Sequence, residues 1–98
     1  MQITKNLENE RLTLAVSGRI DTSTAPELES VINNNAQNVK ELVIDLKDMD
    51  YISSAGLRVL LKTQKLMNTQ GSLLIKNVQS DVMEIFEMTG FVDILTIE

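Results

Sequence analysis

With 98 residues, the chain is long enough for one domain and too short for two. It contains no cysteine and no histidine, which excludes disulfides, thiolate catalysis, zinc–sulfur sites and every Ser–His triad. A net charge of −5 without a Lys/Arg cluster argues against nucleic acid or an anionic membrane surface as partner.

The N-terminus lacks the apolar core of a signal peptide, and no apolar run approaches the ~20 residues of a membrane span. A soluble, cytoplasmic domain is therefore expected. Residues 2–7 form a weak strand candidate carrying Ile3 and Leu7. Residues 11–17 alternate, with Leu12, Leu14 and Val16 apolar, as in a strand with one buried face. Two strands so close in sequence should pair antiparallel. Residues 18–21 leave this strand as a loop.

A helix is expected to start at Thr24. Thr24 and Glu27 have the spacing of a capping box, and Pro26 suits a first turn. Leu28, Val31 and Ile32 repeat at helical spacing, and Asn33, Asn34 and Asn35 should end the helix. Leu42, Val43 and Ile44 then read as a strand buried on both faces. Residues 47–52 read as a loop. A second helix is expected from about Ser54 to Thr69, with Leu57, Leu60, Leu61 and Met67 on one face. Gln64 interrupts that face, and Gly71 is placed as its stop. Leu73, Leu74 and Ile75 suggest a further buried strand. A third helix, about 80–89, should turn Val82, Ile85 and Phe86 inward and end at Gly90, with Phe91 making the contact that accompanies such a cap. Residues 94–97 should form a last strand.

The expected fold is thus α/β, in the order β-β-α-β-α-β-α-β. It predicts a mixed, mostly parallel sheet with helices packed on it and functional loops at the strand C-terminal ends.

The most unusual segment runs from Asp45 to Leu57, from a buried strand through a loop into a helix opened by Ser53, Ser54 and Gly56. Gly56 in a first helical turn costs about 1 kcal/mol relative to Ala, which points to a close approach of something to the backbone. One of the two serines suits an N-cap, and either suits a phosphoacceptor, because a phosphate at a helix N-terminus meets free N–H groups. The two roles are compatible. An activated nucleophile is not expected, since no histidine can deprotonate the serine and Lys62 lies two turns along the helix. Asp45, Asp48 and Asp50 lack the Gly and terminal Glu of a calcium loop and read as a solvated acidic loop. Asp21 should reach the same sheet end as Ser54. The phosphate-loop pattern G-x-x-x-x-G-K-S/T is absent. No metal, cofactor or catalytic residue is expected. A small α/β enzyme is the poorer reading, and a hydrolase screen should be blank.

Asp45-Leu46 followed by Tyr51-Ile52-Ser53-Ser54-Ala55-Gly56-Leu57 resembles the signature of the STAS-domain anti-sigma factor antagonists. Val16-Ser17-Gly18-Arg19-Ile20-Asp21 resembles that family's Gly-x-Leu/Ile-Asp turn. Phe86-Glu87-Met88-Thr89-Gly90-Phe91 resembles its C-terminal helix before a final strand. The resemblance covers nearly the whole chain and implies one STAS domain over residues 1–98. It further implies a partner-switching regulator of transcription, not an enzyme, that binds an ATP-using anti-sigma factor serine kinase and thereby frees a sigma factor. Phosphorylation of one serine ends binding, and a serine phosphatase restores it. The acceptor maps onto Ser54, two residues before Gly56, with Ser53 as second choice; Ser53 stands where family members often carry Asp. The implied partner-binding residues are Asp21, Thr22, Ser23, Ser53, Ser54, Ala55, Gly56, Leu57 and Arg58. The expected state is a monomer or weak dimer. The alternative is a STAS protein-binding module outside sigma control, in a stress-signalling complex or a lipid-transport system.

Overall fold

The computed structural model describes residues 1–98. β1 (Gln2–Glu8) and β2 (Arg11–Ile20) form an antiparallel hairpin in register from Gln2↔Ser17 to Glu8↔Arg11. Asn9 makes the tight turn in the left-handed region at φ 56°, where Asn is tolerated because its side chain can bond locally. α1 (Ala25–Asn35), β3 (Glu41–Asp45), β4 (Met49–Ile52), α2 (Ser54–Gln70), β5 (Ser72–Lys76) and α3 (Ser80–Thr89) follow, and a 3-10 turn, Phe91–Asp93, closes the chain.

The sheet order is β1-β2-β3-β5, with β4 also paired to β2. All pairings except the hairpin are parallel, as the strand–helix alternation requires. β2 has two parallel partners in succession, β3 along Arg11–Ala15 and β4 along Gly18–Ile20. The strands turn Leu12, Leu14, Val16, Leu42, Ile44, Leu73 and Ile75 into one core, which Leu28, Ile32, Leu57, Leu60, Met67, Val82 and Phe86 close from the helices. Val43 is buried as well but lies outside that cluster. It points to the opposite face, where its strand neighbours Glu41 and Asp45 are exposed and half-buried.

Five local expectations change. Residues 18–20 do not leave β2 as a loop but extend it to Ile20, because they pair with β4. Residues 47–52 are not all loop: Met49–Ile52 is a strand. Its period-2 pattern is hidden because Gly18 pairs with Met49 and Arg19 with Tyr51, which leaves Asp50 as the extra residue of a bulge. The final strand shrinks to a single parallel bridge, Ile75↔Ile97, with Leu95 buried and Ile94 exposed. Ile94 and Leu95 are still turning out of the 3-10 helix, with both N–H groups donating to the Phe91 carbonyl, so only Ile97 is left to pair. The Thr24–Glu27 capping box does not form; Thr24 bonds back into the preceding loop. Gly71 does end α2, but in extended backbone at φ 176°. The glycine is needed there because a Cβ would collide with the Lys40 carbonyl. Gly90 behaves as expected, capping α3 at φ 80°, with Phe91 packed against the core.

Candidate functional site

The C-terminal ends of β2 and β4 carry the two segments that the sequence singles out. Ile20 and Ile52 pair in register and are both buried. The Ser53 N–H donates to the Ile20 carbonyl at 2.8 Å. The chain then turns in one direction into Asp21-Thr22-Ser23 and in the other into α2. The Ile20–Ile52 pair is thus the foundation that holds the Asp21 loop beside the start of α2.

Gly56 is fitted to this foundation. A Cβ there would lie 2.6 Å from Ile20 Cγ2 and 2.7 Å from Ile52 Cγ1. The close approach signalled by a glycine in a first helical turn is therefore made by the protein's own two isoleucines. They brace the helix against the strand ends with β-branched side chains that have little freedom to yield.

The two serines divide their roles. Ser53 is the N-cap of α2, extended at φ −92° and ψ 175°, and its hydroxyl accepts a long 3.4 Å bond from the Gly56 N–H. It is half-buried. Ser54 is the first helical residue and is exposed, and its hydroxyl has no partner within the chain. The serine that is free to meet another molecule is Ser54.

The neighbouring loop is stiffened by Asp21. Its Oδ1 accepts from the Ser23 hydroxyl at 2.7 Å and from the Ser23 and Thr24 N–H groups at 3.0 Å each. Thr24 Oγ1 accepts from the Asp21 N–H at 2.8 Å and donates to the Arg19 carbonyl at 2.9 Å. Asp21, not Thr24, therefore satisfies the open N–H groups ahead of α1. The Ser23 hydroxyl first, then the Thr24 and Ser23 N–H groups, hold the Asp21 carboxyl below its usual value against the opposing effect of desolvation.

Of the nine candidate partner-binding positions, Thr22, Ser23, Ser54 and Arg58 are exposed, and Asp21, Ser53 and Ala55 are half-buried. Gly56 and Leu57 are buried and lie behind those side chains. The sequence reading missed Arg19 and Tyr51. They are register partners across β2 and β4, with the Arg19 guanidinium 4.3 Å above the ring. The signal existed in the short apolar–polar pattern of residues 49–52, but the Asp50 bulge hid the strand that places Tyr51 opposite Arg19.

In the acidic segment only Asp45 is tied into the structure by its side chain; Asp48 and Asp50 are exposed. Asp45 Oδ1 accepts from the Lys47 N–H at 2.9 Å and from Asn77 Nδ2 at 3.1 Å, tying the end of β3 to the end of β5. Asp45, Asp48 and Asp50 do not converge into a group of ligands. Lys62 is 3.0 Å from Glu29 of α1 and tethers the two helices. No helix is long and apolar enough to cross a membrane.

Comparison with known proteins gives one consistent result. The family model of the STAS domain matches residues 1–98. BtrV of Bordetella bronchiseptica, named as a candidate anti-sigma factor antagonist, is 33% identical over 99 residues, covering 99% of this chain and 85% of its own. The anti-sigma-B factor antagonist of Bacillus subtilis is 35% identical over 94 residues, covering 95% and 85%. Among solved structures, an anti-sigma factor antagonist from Mycobacterium paratuberculosis superimposes with a TM-score of 0.88 at 25% identity, over 98% of this chain and 83% of that one.

Proposed function

The chain belongs to the STAS domain family, and from that premise we propose that it is an anti-sigma factor antagonist, a regulatory binding module that captures an anti-sigma factor and so releases a sigma factor. The docking surface is the end of the sheet where the Asp21 loop meets the start of α2. Ser54 is the switch. The observation that carries this assignment is the contrast between the two serines: Ser53 is committed to capping α2, whereas Ser54 presents an exposed, unpartnered hydroxyl.

The partner is an anti-sigma factor that is itself a serine kinase using ATP. Ser54 Oγ attacks the γ-phosphorus, the bond to the bridging oxygen breaks, and ADP leaves. The hydroxyl proton goes to a base supplied by the kinase, since this chain has no histidine. A serine phosphatase reverses the step by hydrolysis. The ester adds about −1.5 to −2 charges at pH 7. In the middle of an interface that charge must be desolvated, and a loss of about 3–4 kcal/mol weakens binding several-hundred-fold. No refolding is required.

Two measurements test this reading. Incubation with ATP, magnesium and host lysate, followed by peptide mass spectrometry, is expected to place phosphate on Ser54. Phosphate on Ser53 would move the switch by one residue, and none on either would remove the kinase cycle. With the host's anti-sigma factor in calorimetry, Ser54→Ala is expected to bind as the wild type does. Ser54→Asp is expected to bind at least tenfold more weakly, and equal binding by the two variants would sink the switch.

A further inference from the structure

Arg58 lies four residues beyond Ser54 on α2 and is exposed. Helical residues at that spacing share a face, with Cβ atoms about 5–6 Å apart. Side chains on a helix also lean toward its N-terminus, so a guanidinium at position 58 reaches back over the turn that begins with Ser54. Arg58 has neither an ion pair nor a side-chain hydrogen bond within the chain, whose two ion pairs are Arg11–Glu41 and Lys62–Glu29. The other arginines are engaged: Arg11 lies 3.5 Å from Glu41, and Arg19 is stacked on Tyr51. In a chain of net charge −5, the one arginine without a partner stands one helical turn from the one site serine without a partner.

We propose that Arg58 is the intramolecular counter-ion of a phosphate on Ser54, and that this pairing withdraws the guanidinium from the docking surface. The pairing presupposes Ser54 as the acceptor, as proposed above, and assigns how modification of that site is read. The planar fork of an arginine can hold two phosphate oxygens at once, which a lysine ammonium cannot match. Without the phosphate, Arg58 is free to meet a carboxylate on the partner. With it, the partner loses that cation and meets a bulky anion in the same place. The other charged groups at this end of the sheet are Arg19, held by the Tyr51 ring; Asp21, whose carboxylate opposes a nearby anion; and Asp50 on the bulge.

The experiment installs phosphoserine at position 54 during synthesis, so no kinase is needed, and follows its second ionisation by phosphorus NMR against pH. A paired guanidinium favours the dianion, so the wild type is expected to titrate about 0.2–0.4 pH unit below Arg58→Ala, the size of an i,i+4 ion pair. Arg19→Ala, which removes the same charge from a stacked arginine, is expected to titrate like the wild type. The gap is expected to shrink at about 1 M salt, where the Debye length falls to about 3 Å. Coincident curves for the wild type and Arg58→Ala would overturn the pairing. Equal shifts in both arginine variants would also overturn it, because net charge and not contact would then be the cause. Since the phosphate is placed synthetically, this result is independent of whether host lysate modifies Ser54.

Discussion

The carboxylate of Asp21 organises the loop before α1 by accepting from Ser23 and Thr24, and it leaves Thr24 free to bridge Asp21 and Arg19. Its lowered pKa makes this arrangement dependent on pH, and the sign is fixed by linkage. A carboxyl held lower in the folded state than in the unfolded chain adds stability above the unfolded value, about 3.9, and loses it as the pH falls through the folded value. Asp21→Ala is therefore expected to lower Tm at neutral pH. The deficit should close when both proteins are melted below the folded value. A deficit that persists unchanged in acid would mean that Asp21 acts by packing and not by charge. That Asp21 closes the loop while Thr24 makes no cap bond to α1 was not legible in the sequence. Both are good capping residues, and the choice depends on the loop folding back onto the Arg19 carbonyl.

At the scale of elements, α2 contains a conflict that the sequence already displayed. Gln64 interrupts the apolar face and is 9% exposed, and its Oε1 has no partner; its amide nitrogen donates to Asn68 Oδ1 at 2.8 Å. A buried acceptor left unpaired costs about 1–3 kcal/mol. Gln64→Met keeps the volume and removes the polar atom, so its urea midpoint is expected to rise by the equivalent of about 1 kcal/mol. A fall would show that the Gln64–Asn68 bond outweighs the orphaned oxygen. The helices and β2, β3 and β5 were legible because their apolar spacing is regular and Gly71 and Gly90 mark the ends of two helices. β4 was not, because a bulge breaks its alternation and only pairing with Gly18–Ile20 makes it a strand. The tail was not legible either, since Ile94 and Leu95 look alike in sequence and only the 3-10 turn sets which of them faces inward. Ser53 and Ser54 were legible as a pair. Their division of labour was not, because it depends on which residue adopts the extended cap conformation.

In the molecule as a whole, β2 and β3 are flanked on both edges, whereas the outer edge of β1 has no partner and most of its residues are exposed. Hydrogen exchange is expected to rank them accordingly. The amides of Leu14 and Ile44 should exchange slowest, near the energy of global unfolding, and alternate amides of β1 should exchange fast. Uniform protection along β1 would instead reveal a second strand covering that edge. β2 has a further property. Its ten residues run from the hairpin turn at one end to the Ile20–Ile52 foundation at the other, a span of about 30 Å at the usual rise per residue. The turn and the Ser54 end are therefore opposite poles. Since the chain has no cysteine of its own, Glu10→Cys would supply a single thiol at the far pole. A dye or a sensor surface attached there would hold every copy with its Ser54 end facing outward, so that partner arrival and departure could be timed on uniformly oriented molecules.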